Sequence, residues 1–216
     1  SLVGPLHAQT GLGESARSTI RAATAAGFRV AALEVPASAD SSRCEAVPPH
    51  IAPAPDMSCP VNIINVSAHF FHHVLLELGE RFLEGKYNIA YWVWEMRYFP
   101  HAWKRWLPYV NEIWTPSTFS QDALARGAGV PVVRIPHCLH SETPTSIGRR
   151  ELGLPETGFM FLSAVDVLSV PERKNPLGTV EAFLRAFGGN CTEAYLCLKL
   201  SNTGHRPDVM TQLEEM

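Results

Sequence analysis

Residues 2–35 read LVGPLHAQTGLGESARSTIRAATAAGFRVAALEV, and this stretch decides the fold. Short apolar runs at its two ends predict strands over 2–4 and 29–35. Between them, apolar residues recur at helical spacing and predict a helix over 14–26, with Gly27 suited to its C-terminal cap. A strand, a helix and a second strand in this order predict a parallel βαβ unit, and therefore an α/β protein.

The same alternation continues along the chain. Further strands are predicted at 61–66, 88–93, 112–115, 132–135, 159–165 and 195–200, and helices from 67 to about 82 and at 100–109, 118–126 and 177–187. The first six strands are expected to form one parallel sheet, and the last two begin another. The proline-rich stretch 36–60 has no periodicity and predicts a long surface loop.

A polar stretch without periodicity at 137–149 indicates a boundary between two domains. We therefore expect an N-terminal domain at 1–140, a linker at 141–150 and the start of a second domain at 151–216. Parallel sheets are normally covered on both faces and seldom consist of two strands. The second domain is accordingly expected to be incomplete, and the chain to be truncated at both ends.

Composition excludes several classes of protein. Of the 216 residues, 46% are hydrophobic and 18% are charged, which is enough apolar material for a core and too much for a disordered chain. The net charge of −3 argues against a nucleic-acid-binding surface, and no apolar run is long enough to span a membrane. Five widely spaced cysteines and the lack of a visible secretory signal favour a reducing cytoplasm and disfavour a structural zinc site.

The glycine-rich segment GLGESA at 11–16 has two interpretations. It fits a relaxed dinucleotide-binding pattern, and Glu34 lies about twenty residues further on, where such enzymes bind a ribose. However, residues 5–10 separate the strand from Gly11, whereas that pattern needs its first glycine directly after the strand. A longer loop at a helix start instead presents N–H groups to a phosphate or a hydroxyl-rich ligand. Gly11 and Gly13 could also serve only the packing of loop against helix.

Together with four other segments, this loop resembles the family 4 glycosyltransferases. The five segments are GPLHAQTGLGESAR at 4–17, YNIAYWVWEMRYFP at 87–100, EIWTPSTFSQDAL at 112–124, VVRIPH at 132–137 and ERKNPLGTVEAFLRAF at 172–187. The resemblance implies the GT-B fold, in which two Rossmann-like domains carry parallel sheets. It also implies transfer of a sugar from a nucleotide-sugar donor to a glycan or lipid-linked acceptor, with retained anomeric configuration and without a required metal or other cofactor.

By this resemblance, Lys174 contacts the diphosphate of the donor, and Gly11 and Gly13 line the same subsite. The chemistry agrees, because a departing diphosphate accumulates negative charge that fixed cations can stabilise. Arg173 and Lys174 precede a predicted helix, and Lys199 ends the next strand, so all three are expected to reach the diphosphate beyond the carboxyl ends of the strands. They could instead be solvated surface charges and a strand-end lysine. Family members commonly carry an arginine shortly after the preceding strand, where this chain has Asp166 instead. Either Arg173 takes over the role of that arginine, or the diphosphate is bound differently.

Polar residues after the third predicted strand are candidates for the reacting end of the first domain. The resemblance points to Asn65, Ser67 or His69, which could hydrogen-bond to donor or acceptor hydroxyls, with Asn65 and His69 as candidate catalytic residues. Asn65 could equally cap the strand end. His69, His72 and His73 have helical spacing, but no carboxylate or cysteine lies nearby to complete a metal site, so we expect none.

Two further positions are candidates for the same cleft. Trp94 and Glu95 follow a buried strand, where the carboxylate could bind acceptor hydroxyls or assist a proton transfer. The carboxylate could also simply pair with Arg97 or Arg105. Ser117 follows another strand, where it could line the cleft or only cap a helix. Either Ser117 or Thr118 can be that cap, and Thr118 and Gln121 have the spacing of a capping box.

The segment Trp103-Lys104-Arg105-Trp106 mixes aromatic and basic residues. Such a surface could rest on an anionic membrane, which would place a cytoplasmic protein at the inner face of the membrane. The tryptophans could instead pack against the sheet.

Two other functions remain open from the sequence. The first is a dinucleotide-dependent oxidoreductase, which would use the glycine-rich segment and Glu34. The second is a non-catalytic module that binds a glycan or a partner protein. For a family 4 glycosyltransferase, the glutamates that meet the donor sugar would lie beyond Met216, so the 216-residue chain alone is expected to be inactive.

Overall fold

The computed structural model describes residues 1–36, 58–138, 146–167 and 170–216. The chain divides into two compact units, Ser1–Ser141 and Glu142–Met216. Most of the predicted loop at 36–60 and the first half of the predicted linker at 141–150 lie outside the described residues.

The first unit contains the predicted parallel sheet of six strands, which is confirmed. Its strands lie in the order β2-β1-β3-β4-β5-β6 and all neighbours are parallel. Val3 in β1 lies opposite Leu33 in β2 and Ile64 in β3, so β1 is an interior strand. The strands are β1 Leu2–Gly4, β2 Ala32–Glu34, β3 Val61–Ile64, β4 Tyr87–Tyr91, β5 Glu112–Thr115 and β6 Val132–Arg134.

Three α-helices of the first unit accompany the sheet, together with short 3-10 segments. The helices are α1 Gly11–Ala25, α2 Phe71–Leu78 and α3 Thr118–Ala128, and the 3-10 segments are Ala68–Phe70, Glu80–Phe82 and His101–Tyr109. Helix α1 begins earlier than predicted because the Thr10 side chain accepts a hydrogen bond from the Gly13 N–H and caps it. The prediction of one helix up to Phe82 is wrong, since Gly79 at φ 74° ends α2.

The capping box predicted for α3 is also wrong. The N-terminal cap is Ser117, whose hydroxyl oxygen accepts a hydrogen bond from the Ser120 N–H at 3.1 Å. The Gln121 side chain does not turn back to the cap, and its amide donates instead to the Val132 carbonyl at 2.9 Å. This bond ties α3 to β6.

Aromatic and aliphatic side chains fill the core of the first unit. Trp92, Trp103, Phe71 and Phe82 are almost completely buried there. The strands are short and parallel, and most of their residues are buried, as expected when both faces of a parallel sheet are covered.

The second unit contains a sheet of two parallel strands, which run in register from Phe159 opposite Ala194 to Asp166 opposite Ser201. Rings of Phe161, Phe183 and Phe187 contact one another and hold one helix against the sheet. The elements are β7 Phe159–Asp166, α4 Pro171–Lys174, α5 Pro176–Phe187, β8 Ala194–Ser201, a 3-10 segment Thr203–His205 and α6 Pro207–Glu214.

Candidate functional site

The carboxyl ends of the strands in the first unit gather several of the candidate residues at one edge of the sheet. In open α/β sheets, ligands bind beyond this edge. Asn65 follows β3 directly, and Tyr91 is the last residue of β4. Ser117 lies two residues beyond β5 and His137 three residues beyond β6.

The loop between β1 and α1 is held from inside by Arg17. The Arg17 side chain is only 5% exposed, and its Nη1 donates to the carbonyls of Leu6 at 2.8 Å and Ala8 at 3.0 Å. Its guanidinium also pairs with Glu14 at 3.1 Å. A buried arginine that binds two backbone carbonyls gives the loop one fixed conformation. The sequence analysis did not single out Arg17.

The two glycines of this loop have different surroundings. The N–H of Gly13 donates a hydrogen bond to Thr10 Oγ1 at 3.2 Å. A Cβ added to Gly13 would lie 2.1 Å from the Ala8 carbonyl oxygen. Gly13 therefore lets the loop pack against the helix, which is the packing interpretation of this residue. Gly11 is exposed, and nothing lies within 4 Å of the position of its missing Cβ.

Glu34 at the end of β2 contacts the same loop. Its Oε2 accepts a hydrogen bond from the His7 N–H at 3.2 Å and lies 3.1 Å from the His7 Nδ1. The carboxylate that the dinucleotide interpretation assigned to a ribose thus contacts a loop residue of the chain itself.

A chain of polar contacts crosses the carboxyl edge of the first sheet. The Asn65 amide, which is completely buried, donates to Ser15 Oγ at 3.1 Å and to Thr19 Oγ1 at 3.3 Å. Ser15 Oγ lies 3.2 Å from His137 Nδ1, and the same Nδ1 lies 3.2 Å from the Tyr91 hydroxyl. The ends of β3, β4 and β6 are thereby connected to α1 through one set of side chains. Of these side chains, only Asn65 was named from the sequence.

Burial changes the pKa values of two side chains in this set of polar contacts, Tyr91 and His137. It raises the pKa of Tyr91 to about 12, with a smaller contribution from the neighbouring Cys138. It lowers the pKa of His137, because an imidazolium ion loses hydration there. Both side chains are therefore neutral near pH 7.

The segment after β4 holds the candidates Trp94 and Glu95. The Trp94 indole N–H donates to the Tyr98 carbonyl at 2.7 Å, and its ring lies 4.7 Å from that of Trp103. Glu95 is exposed and has no hydrogen bond or ion pair within the described ranges. The exposed His69 ring lies 5.2 Å from Trp103 and 6.2 Å from Trp94, so His69 and Trp94 share one aromatic cluster.

The remaining first-unit candidates have local structural roles. Ser67 precedes a 3-10 segment and accepts the Phe70 N–H through its backbone carbonyl, and Ser117 caps α3. Trp103 and Trp106 are buried at 2% and 8% exposure, so neither indole is available to a membrane surface. In the part of the chain that the structure describes, no three His, Cys, Asp or Glu side chains are grouped to hold a metal ion.

A second set of candidates lies at the carboxyl edge of the smaller sheet. Arg173 and Lys174 are exposed at the end of α4, directly before Asn175, whose side chain caps α5 by accepting the Gly178 N–H at 3.2 Å. Within the described residues, neither cation forms an ion pair.

Lys199 does not join these two residues. It is exposed in β8, two residues before the strand ends. Leu196 lies opposite Phe161, whose ring contacts α5, and side chains alternate between the faces of a strand. Lys199, three residues further on, therefore lies on the face opposite to α5.

Asp166 ends β7 at the position where the resemblance would place an arginine. Its Oδ1 accepts a hydrogen bond from the Asn202 side chain at 2.9 Å, which links the ends of β7 and β8. Nearby, Arg206 pairs with Asp208 at 2.8 Å and contacts Glu172 of α4 at 3.4 Å. This edge thus combines paired charges with the two unpaired cations of α4.

Two parallel sheets with helical crossovers define an α/β protein with a Rossmann-like fold. No family model and no curated protein sequence matches the chain. Across the described ranges, no helix has the length and apolar character needed to cross a bilayer.

Proposed function

We propose that this chain belongs to a glycosyltransferase that moves a sugar from a nucleotide-sugar donor to a glycan or lipid-linked acceptor, with retention and without a metal. The GT-B fold is part of the proposal. The observation that carries it is the pair Arg173 and Lys174, two exposed cations without ion pairs, placed directly before the capped start of α5.

Cations at this place match the chemistry of the reaction. When the bond between the sugar and the diphosphate breaks, negative charge develops on the phosphate oxygens, and the positive end of α5 together with Lys174 would stabilise it. Removal of one such preorganised group typically costs about 100–1000-fold in rate. Because Asp166 is bonded to Asn202 and supplies no positive charge, Arg173 takes the role of the missing arginine in this proposal.

The first sheet would hold the acceptor. Its carboxyl edge carries Glu95, which has no partner in the described residues and can accept hydrogen bonds from acceptor hydroxyls. Trp94 and His69 form an aromatic surface beside it, against which a sugar ring can pack.

The two alternative functions have weaker support. An oxidoreductase would need Glu34 for a ribose, but this carboxylate contacts His7, and residues 5–10 separate β1 from Gly11. A non-catalytic glycan-binding module fits the first sheet but leaves the cations of α4 without a purpose.

Calorimetric titration of the 216-residue chain with UDP, GDP, ADP and NAD tests the proposal. We expect at least one nucleoside diphosphate to bind, and Lys174→Ala to weaken that binding about tenfold, or about 1.4 kcal/mol. Lys104→Ala is the matched control, since Lys104 is also an exposed lysine but belongs to the first unit. Binding of NAD alone would support the oxidoreductase, and diphosphate binding that is indifferent to Lys174→Ala would refute the assigned site. If no nucleotide binds, the transferase proposal fails.

A further inference from the structure

The imidazole of His137 is fixed through one of its two nitrogens. Nδ1 lies 3.2 Å from Ser15 Oγ and 3.2 Å from the Tyr91 hydroxyl. The rings of His137 and Tyr91 also pack together, with 5.4 Å between their centres. A ring held from one side by two hydroxyls and an aromatic face has a defined orientation.

The hydroxyl of Tyr91 determines which nitrogen carries the proton. This hydroxyl donates its only proton to the Ile135 carbonyl at 2.8 Å. Its oxygen can then only accept, so the contact with His137 is a hydrogen bond only when Nδ1 is protonated. The opposite tautomer would set two lone pairs against each other at 3.2 Å.

Ser15 is compatible with this arrangement. Its oxygen already accepts a hydrogen bond from the buried amide of Asn65 at 3.1 Å and can accept a second hydrogen bond from the Nδ1–H group. Asn65 is itself fixed by Thr19 at 3.3 Å, so the support behind the imidazole continues to the centre of the sheet.

The other nitrogen, Nε2, has no partner in the described part of the chain, and His137 is exposed. A neutral ring with the proton on Nδ1 has a lone pair on Nε2, which accepts hydrogen bonds and cannot donate them. Because burial lowers the pKa of His137, the ring stays neutral near pH 7.

We propose that His137 Nε2 is a preset hydrogen-bond acceptor for a ligand hydroxyl at the carboxyl edge of the first sheet, and that the ligand is a sugar. The identity of the ligand as a sugar rests on the proposed function. The proton on Nδ1 does not, because it follows from contacts with Tyr91, Ser15 and Ile135.

Nitrogen-15 NMR of the histidine rings tests whether Nδ1 of His137 carries the proton and Nε2 is free to accept. In the unaltered chain, the His137 spectrum should show a protonated Nδ1 and an unprotonated Nε2 at pH 7.5. Tyr91→Phe removes the acceptor oxygen but keeps the ring, so we expect a shift toward the tautomer protonated at Nε2. Tyr87→Phe is the matched control, since the Tyr87 hydroxyl donates to Glu112 and does not contact His137. A protonated Nε2 in the unaltered chain would overturn the proposal without any variant.

Titration with methyl glycosides of glucose, galactose and mannose tests whether the ligand of His137 Nε2 is a sugar. At least one should shift the Nε2 resonance of His137. Tetrahydropyran, which has the ring of these sugars but no hydroxyl groups, is the control and should cause no shift. If none of the sugars shifts Nε2, the assignment of a sugar ligand is wrong. These probes contain no nucleotide, so a failure here is distinct from a failure of nucleotide binding at Lys174.

Discussion

Arg17 is the residue on which the loop between β1 and α1 depends most. Its guanidinium is nearly inaccessible and is the donor to the carbonyls of Leu6 and Ala8. Arg17→Ala would leave both carbonyls and Glu14 without this partner. We expect the free energy of unfolding to fall by about 3 kcal/mol, since removal of one partner from a buried charged contact costs about 3–5 kcal/mol. Urea denaturation measures the change.

Arg21 provides the control for this substitution. It pairs with the same carboxylate of Glu14, but its side chain is 40% exposed. Exposed ion pairs typically contribute less than about 1 kcal/mol. If Arg21→Ala is as destabilising as Arg17→Ala, the backbone carbonyls are not the reason for the effect.

Tyr91 gives a second test at the scale of one residue. Burial raises its pKa to about 12, from an ordinary value of about 10. Because the pKa is raised in the folded state, the protonated phenol makes its full contribution to the free energy of unfolding below pH 10. This contribution is lost as the pH rises toward 12. Absorbance of tyrosinate should therefore show a late titration step, and Tyr91→Phe should reduce the amplitude of that step. Part of it should remain, because hydrogen bonds to Glu112 and Glu80 also raise the pKa values of Tyr87 and Tyr109. A late step of undiminished amplitude in the variant would contradict the assignment.

At the scale of the elements, the sequence predicted the strands better than the ends of the helices. Strands of a parallel sheet are buried apolar runs, and the strand predicted at 112–115 has the bounds of β5. Helix ends depend on single side chains, such as the caps Thr10 and Ser117, and the break at Gly79 needs a positive φ that hydrophobic periodicity does not reveal.

The polar network was harder to predict for a different reason. Asn65 was identified because it follows a strand, but its connection to His137 passes through Ser15, which is 122 residues from His137. No local pattern marks a serine inside a helix as a partner of a distant histidine. Arg17 was missed because arginine is almost never buried unless it is paired, and its partners here are backbone carbonyls.

The start of α1 allows structural and binding roles of glycine to be separated. Gly13→Ala would place a Cβ 2.1 Å from the Ala8 carbonyl oxygen, so we expect a loss of about 1–3 kcal/mol. Gly11→Ala meets nothing within 4 Å, and alanine should stabilise the helix by up to about 1 kcal/mol. Thermal denaturation of both variants measures the two effects. Equal effects of the two substitutions would contradict this account of the loop.

Gly11→Ala also tests the prediction that Gly11 contacts a phosphate of the ligand. If Gly11 allows a ligand to approach the backbone, this variant should bind the nucleoside diphosphate more weakly although it is at least as stable as the unaltered chain. Unchanged nucleotide binding would show that Gly11 does not contact the nucleotide.

For the whole molecule, the two units differ in how much apolar surface each buries. The buried residues of the first unit include several tryptophans and phenylalanines, whereas the buried apolar side chains among the described residues of the second are Val165, Val167, Pro176, Ala194 and Val209. Several large apolar side chains of the small sheet remain exposed, among them Phe159 at 65% and Leu162 at 69%. Since burial of apolar area is the main favourable term in folding, the second unit has less to hold it together.

Hydrogen exchange followed by mass spectrometry tests this difference in the 216-residue chain. Strands with many buried contacts open only with the global fold, whereas elements with few buried contacts open locally at a lower free energy. We therefore expect the amides of β1, β3 and β4 to exchange much more slowly than those of β7 and β8, although both sheets have complete ladders between parallel strands. Val165→Ala should speed exchange in β7 and β8 and leave β3 and β4 unchanged, because Val165 belongs to the small core of the second unit. The same rates in both sheets would show that backbone pairing, and not the apolar area buried beneath it, sets the local stability of this protein.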